Sequence, residues 1–286
     1  MLTLGTAWHG FRYLTAENYF ATAAALALSK VEVPLYWHVI EDQRFDLRDR
    51  KRLLRLAEDA GVEMHAGVAA LDIVEPFDIV GLPITKDAVA FNLAVARRVI
   101  DIGEDLGLSV IRLIEPNIDE SNLPLADAYL EDHGRALADL GDYAAHRGIK
   151  LAAENFGVTS RQMGAILSAA DHPSVGTLFD PCNYFRMGED PIAALDSLGD
   201  RIFYCHAKDA RIDENRSPDQ LYPGSRWKPS VAVGAGDIDW NALIPALAQV
   251  YSGVVAIEYE MSGDVVLETR RSRDHLVRLL AGDVPP

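Results

Sequence analysis

Eight times along the chain a short apolar run gives way to a polar turn and then to a longer stretch of helical period. The apolar runs fall at residues 2–7, 31–37, 62–67, 109–114, 149–154, 175–180, 201–206 and 253–258. Helical stretches follow at 16–28, 47–60, 87–106, 125–147, 161–169, 191–198, 240–250 and 265–280. The runs are apolar nearly throughout instead of alternating with polar residues, as expected of parallel strands covered by helices. An open doubly wound sheet and a closed barrel both meet this pattern. The open sheet usually carries a glycine-rich turn after its first strand. Here that strand runs into Ala7-Trp8-His9-Gly10 with no glycine cluster. A single α/β domain, a (β/α)8 barrel over all 286 residues, is the better fit.

Such barrels place function at the C-terminal ends of their strands. The fifth run ends in Glu154-Asn155 and the sixth in Asp180-Pro181. The seventh ends in His206, with Lys208 and Asp209 just beyond, and the eighth in Glu258, with Glu260 two residues on. Glu154 and Asp180 are 26 residues apart, as are Asp180 and His206, and Glu258 follows at twice that interval. Residues at equal height converge on the barrel axis, so these four should face one another. One acidic residue after a strand is more often a turn or helix cap. Four strands in succession ending this way point to a metal. Three carboxylates at close quarters would raise each other's pKa unless a cation sat between them. Three carboxylates and one imidazole form a hard, oxygen-rich set that favours Mn2+, Mg2+ or Co2+ over structural zinc. The two cysteines, Cys182 and Cys205, form neither a metal-type pair nor a disulfide framework. Cys205 has the opposite strand parity to His206 and should face the helices.

The strand-end motifs read Leu-Ala-Ala-Glu-Asn (151–155), Phe-Asp-Pro-Cys-Asn (179–183), His-Ala-Lys-Asp-Ala (206–210), Gly-Ala-Gly-Asp-Ile-Asp-Trp (234–240) and Ile-Glu-Tyr-Glu (257–260). In this order and spacing they resemble the xylose isomerase-like TIM barrels, the sugar isomerase and epimerase superfamily. The resemblance implies that Glu154, Asp180, His206 and Glu258 hold one divalent ion, foremost Mn2+. It implies that Glu154 and Glu258 flank the reacting carbon as an acid–base pair. The activity to expect is isomerisation or epimerisation of a keto-sugar or polyol through an enediolate. The alternative is a lyase of the same fold, an inosose-type dehydratase or an elimination on a 3-oxo-glycoside, with His9 or His38 as acid for the leaving group. Lys208 is either an oxyanion or hydroxyl partner, or a rim lysine paired with Asp209 or Glu260. Asn155 and Asn183 are candidates for sugar hydroxyls, although many epimerase-like relatives carry His where Asn183 stands. Glu260 is a candidate supporting partner. Trp8, His9, His38 and Glu115 are candidates to shape the pocket. The long loop 210–236 carries Tyr222, Arg226, Trp227 and Lys228, which suits a lid over a polyol or a surface for another protein.

Charge narrows the partners. Lys and Arg number 27 against 43 Asp and Glu, a net charge of −16. Abasic-site endonucleases share this barrel, but they need a basic groove and more His and acidic ligands than eight scattered histidines offer. Nucleic acid is therefore excluded as a partner. The arginines at 270, 271 and 273 sit beside Glu268 and Asp274 as a solvated helix face. A non-catalytic binding barrel that kept its metal is a further alternative. The first residues lack a charged n-region and a long apolar core, and no run of 18 apolar residues occurs. The expectation is a cytoplasmic protein without membrane contact. The resemblance implies a homo-oligomer.

Overall fold

The computed structural model describes residues 1–35, 45–69, 86–112, 126–212, 230–260 and 263–282. Eight parallel strands form a closed barrel: β1 (Thr3–Thr6), β2 (Lys30–Pro34), β3 (Glu63–Val68), β4 (Val110–Arg112), β5 (Lys150–Glu154), β6 (Val175–Phe179), β7 (Ile202–Ala207) and β8 (Val254–Ile257). Each pairs with its sequence neighbours, and β1 closes the ring by pairing with both β8 and β2. Around it lie α1 (Ala16–Ala25), α2 (Leu47–Ala60), α3 (Lys86–Asp105), α4 (Ala126–Ala145), α5 (Ser160–Ala170), α6 (Pro181–Arg186), α7 (Pro191–Leu198), α8 (Trp240–Val250) and α9 (Val265–Leu280). The (β/α)8 expectation holds.

The helices start and stop where their side chains allow. Asp46 accepts the backbone N–H groups of Arg48 and Asp49 at the start of α2, and Gly61 ends it in the left-handed region at φ 68°. Thr159 and Gln162 form a reciprocal capping box on α5. The helix expected over 16–28 is shorter, ending at Ala25. Ala27 turns left-handed at φ 53°, which lets Leu26 and Leu28 both reach the core. The structure also adds α6, a single short helix directly after β6. Asp180 caps it and Pro181 occupies its first turn, a pairing that favours helix initiation.

Two apolar layers result. Inside the barrel lie mostly small residues, Ala7, Ala66, Val110, Ala152, Val254 and Ala256, with Leu178 and Tyr204 filling the remaining space. Between barrel and helices lies the larger layer, which includes Phe20, Ile111, Leu151, Phe179 and Val255. Each such fully buried large side chain contributes about 1.5–3 kcal/mol. Cys205 belongs to this outer layer, as its strand parity predicts. Among the described residues no helix is long and apolar enough to cross a membrane.

Candidate metal centre

Glu154 ends β5, Asp180 follows β6 directly, His206 lies near the end of β7, and Glu258 follows β8 directly. All four are buried, and one ligand-type atom from each lies within 4.8 Å of all the others. The two oxygens of Asp180 have separate roles. Its Oδ1 accepts from the backbone N–H groups of Cys182 (2.9 Å) and Asn183 (3.2 Å), capping α6. That leaves Oδ2 turned to the barrel axis, an ion-pair distance of 2.9 Å from Lys208 Nζ but with no hydrogen-bond partner. One carboxylate thus caps the helix through Oδ1 and turns Oδ2 to the cluster.

Cations and carboxylates interleave around this cluster. Lys208, fully buried, lies 2.9 Å from Glu258 Oε2 and 3.3 Å from Glu260 Oε2. Arg186 stands 3.5 Å from the same oxygen of Glu260. Arg112 Nε lies 2.6 Å from Glu154 Oε2, and Asn183 Nδ2 donates to Glu154 Oε1 at 3.3 Å. The His206 ring has Nε2 at 2.5 Å from Glu32 Oε1. Its Nδ1 faces Glu258 Oε2 at 3.5 Å and Glu154 Oε1 at 3.7 Å, with no hydrogen-bond partner.

The two glutamates that face each other are driven in opposite directions. Burial raises the Glu154 carboxyl above its ordinary value, with Arg112 and His206 offsetting only part of it. Burial acts on Glu258 too, but Lys208 and His206 outweigh it and hold that carboxyl well below the usual range. Burial alone would lower His206; Glu32 and Glu258 outweigh it and hold the imidazole well above its ordinary pKa. Lys208 is raised for the same reason, by Asp180, Glu258 and Glu260 acting against its burial. A buried charge of this density needs internal compensation, since water is not there to supply it.

The donor set fits a divalent ion. Asp180 Oδ2 and His206 Nδ1 are buried polar atoms without hydrogen-bond partners, and both face the centre of the group. Ligands bonded at about 2.1 Å lie at most about 4.2 Å apart across an ion. His206 Nδ1 already stands within such a distance of Glu258 and Glu154. The cysteines contribute nothing: Cys182 is buried with its thiol pushed up to about 12, and Cys205 faces the helices.

The remaining expected site residues divide by position. Asn183, Lys208 and Glu260 border the cluster. Asn155 is engaged elsewhere, since its Nδ2 donates to the Asp180 carbonyl at 2.9 Å and its Oδ1 accepts from the Asp180 N–H at 3.0 Å. Both ends of that amide thus hold the backbone of a candidate ligand in place. Lys208 does not pair with Asp209. The Asp209 carboxylate instead accepts from the backbone N–H groups of Ala210, Gly234, Gly236 and Ile238. A Cβ at Gly236 would lie 2.0 Å from Asp209 Oδ1, which explains the glycines of the 234–240 motif as a clamp. That clamp and the short antiparallel pair Asp209–Ala210 with Ser230–Val231 join the two described ends of the loop expected as a lid or partner surface. Trp8 and His9 stand at the end of β1, their rings edge-on at 6.5 Å, and Trp8 N donates to Glu32 Oε2. His38, Glu115, Tyr222, Arg226, Trp227 and Lys228 lie outside the described residues.

Besides Arg186 on α6, two charged strand residues in the site are absent from the sequence expectation, Glu32 and Arg112. Each carries a local signal: a lone charge inside an apolar strand, in Val31-Glu32-Val33 and in Ile111-Arg112. In a parallel strand covered on both faces, that charge must meet a partner across the barrel.

The xylose isomerase-like TIM barrel family model matches residues 20–279. A 3-dehydroshikimate dehydratase of Pseudomonas putida is 28% identical over 210 residues, covering 71% of this chain and 31% of the relative. An inosose dehydratase of Lacticaseibacillus casei is 26% identical over 179 residues, covering 59% of this chain and 60% of the relative. The chain thus spans less than two thirds of the length of either. A solved structure described as IOLI protein with a binding zinc atom aligns at a TM-score of 0.75 and 17% identity, over 99% of this chain and 100% of that one. That last likeness is one of fold.

Proposed function

Because the chain belongs to the xylose isomerase-like TIM barrel family, we propose that it is a divalent-metal-dependent lyase that removes water from a polyhydroxylated ketone. The observation that carries the choice of lyase is that both curated relatives above are named dehydratases. Their names favour elimination over the isomerisation or epimerisation expected from the sequence.

Glu154 Oε1, Asp180 Oδ2, His206 Nδ1 and Glu258 Oε2 would hold the ion, and this oxygen-rich set suits Mn2+, Mg2+ or Co2+. When bound, a divalent ion supplies Lewis-acid polarisation of the substrate carbonyl, which makes the adjacent C–H acidic. Glu154 and Glu258 then serve as the pair of carboxylates that flanks the reacting carbon. Glu258, kept ionised by Lys208 and His206, takes the proton from the carbon next to the carbonyl. The departing hydroxyl takes up the proton that Glu258 removed, while Glu154, held by Arg112 and Asn183, flanks the reacting carbon from the other side. A C–H bond and a C–O bond break, a C=C bond forms, and water leaves. Lys208 Nζ, between three carboxylates, balances their charge beside the substrate. The barrel interior below, filled by Tyr204 and Leu178, excludes bulk water from beneath the site.

The test is to incubate the Mn2+-loaded protein with 3-dehydroshikimate and with an inosose in deuterated water, following products by NMR. Loss of water with formation of a new double bond is expected for at least one of them. Deuterium exchange or epimer formation without water loss would overturn the lyase reading and restore the isomerase one.

A further inference from the structure

Glu32 is a fully buried charge that contacts a candidate ligand from the opposite side of the barrel. It sits in the middle of β2, 1% exposed, and its two carboxylate oxygens have separate partners. Oε1 lies 2.5 Å from His206 Nε2. Oε2 accepts the backbone N–H of Trp8 at 3.2 Å. The Tyr204 ring stands edge-on to that of His206 at 5.4 Å. The imidazole is therefore fixed in both position and rotation by groups that are not themselves among the four candidate ligands.

We infer that Glu32 is a positioning residue for the metal ligand His206: it holds the proton on Nε2 and so presents Nδ1, bare, to the ion. The inference rests on the metal reading above. Its geometry is that Nε2 points away from the cluster to Glu32, while Nδ1 lies 3.5 Å and 3.7 Å from the Glu258 and Glu154 oxygens. A ring nitrogen that donates to a carboxylate leaves its partner nitrogen as the more basic ligand. Glu32 further ties that ligand to the Trp8 turn at the end of β1, so the rim of the barrel and the cluster share one anchor.

A carboxylate accepts at both oxygens, whereas an amide accepts at one and donates at the other. In Glu32→Gln the amide must turn its NH2 toward either the Trp8 N–H or His206 Nε2. One contact is lost, and in the second case the ring is driven to carry its proton on Nδ1. Mn2+ titrated calorimetrically into the metal-free protein should bind Glu32→Gln roughly 10–100-fold more weakly than wild type, while Glu32→Asp, which keeps the charge, recovers part of the loss. Binding by Glu32→Gln within about twofold of wild type, well short of the loss expected of a ligand-orienting partner, overturns this inference alone. No binding by wild type overturns the metal reading and this inference with it. Should Glu32→Gln not fold, the 15N spectrum of histidine-labelled, Zn2+-loaded wild type decides the matter. It should show His206 protonated on Nε2 and coordinated through Nδ1; the reverse assignment overturns the proposal.

Discussion

His133 offers a quantitative test of how the helical layer is built. It lies on α4, fully buried, with neither ring nitrogen hydrogen-bonded among the described residues, and Tyr129 stands edge-on to it at 5.7 Å. The next residue, Gly134, has no room for a side chain, since a Cβ there would lie 2.5 Å from the Ile166 carbonyl oxygen of α5. Water is kept from this crossing, and burial alone lowers the His133 pKa from 6.5 to about 3. Between these values the unfolded chain binds a proton that the folded chain refuses. Stability is therefore complete above pH 6.5 and falls as pH drops toward the folded value. At about 1.36 kcal/mol per pH unit, the loss at about pH 5 is about 2 kcal/mol. His133→Leu fills a similar volume and removes the titration. Urea denaturation of the metal-free proteins at about pH 8 and about pH 5 should show wild type losing about 2 kcal/mol more than the variant between the two. Carboxyl titrations elsewhere occur in both proteins and cancel in the difference. Equal losses would refute the reasoning and place the His133 ring in contact with water or a polar partner.

Two further outcomes follow from the same structure. Lys208→Met removes the cation shared by Asp180, Glu258 and Glu260, so the metal-free protein should lose about 3–5 kcal/mol, as for other broken buried ion pairs. Adding Mn2+ should then raise the melting temperature of the variant by more than that of wild type, and equal increments in a thermal scan would contradict the charge-compensation account. Thr159→Ala deletes half of the α5 capping box and should cost about 1 kcal/mol in chemical denaturation, leaving metal affinity unchanged in calorimetry.

The fold was legible because its determinants are local. Strand and helix follow from runs of adjacent residues, and the eightfold alternation survives errors of several residues at any one boundary, as at Ala25. Four of the site residues were legible for a related reason: Glu154, Asp180, His206 and Glu258 occupy the same place relative to their strands, so one rule finds all of them. Glu32 and Arg112 follow no such rule. Glu32 meets His206 across 174 residues of sequence, and nothing in Val31-Glu32-Val33 states which strand will supply its partner. The backbone contacts of Asn155 were hidden for a different reason. An amide next to a ligand looks the same in sequence whether it faces substrate or backbone, and only the two bonds to Asp180 distinguish them.

The charges at the barrel axis also explain why the interior above Tyr204 is not simply apolar. Glu32, Glu154, Asp180 and Glu258 are all buried, against Lys208 and Arg112 and an imidazole. Replacing such a group by hydrocarbon is commonly neutral or stabilising, so stability alone gives no reason to keep it. The apolar layer outside the barrel carries the fold, and it leaves the axis free to hold charged groups. In the metal-free protein Lys208 and the protonated His206 supply the compensating charge. An ion entering the group must displace the Nδ1 proton of His206, because a nitrogen cannot hold both. Ion binding should therefore release protons as well as heat, and the carboxylate behind Nε2 determines which nitrogen gives its proton up.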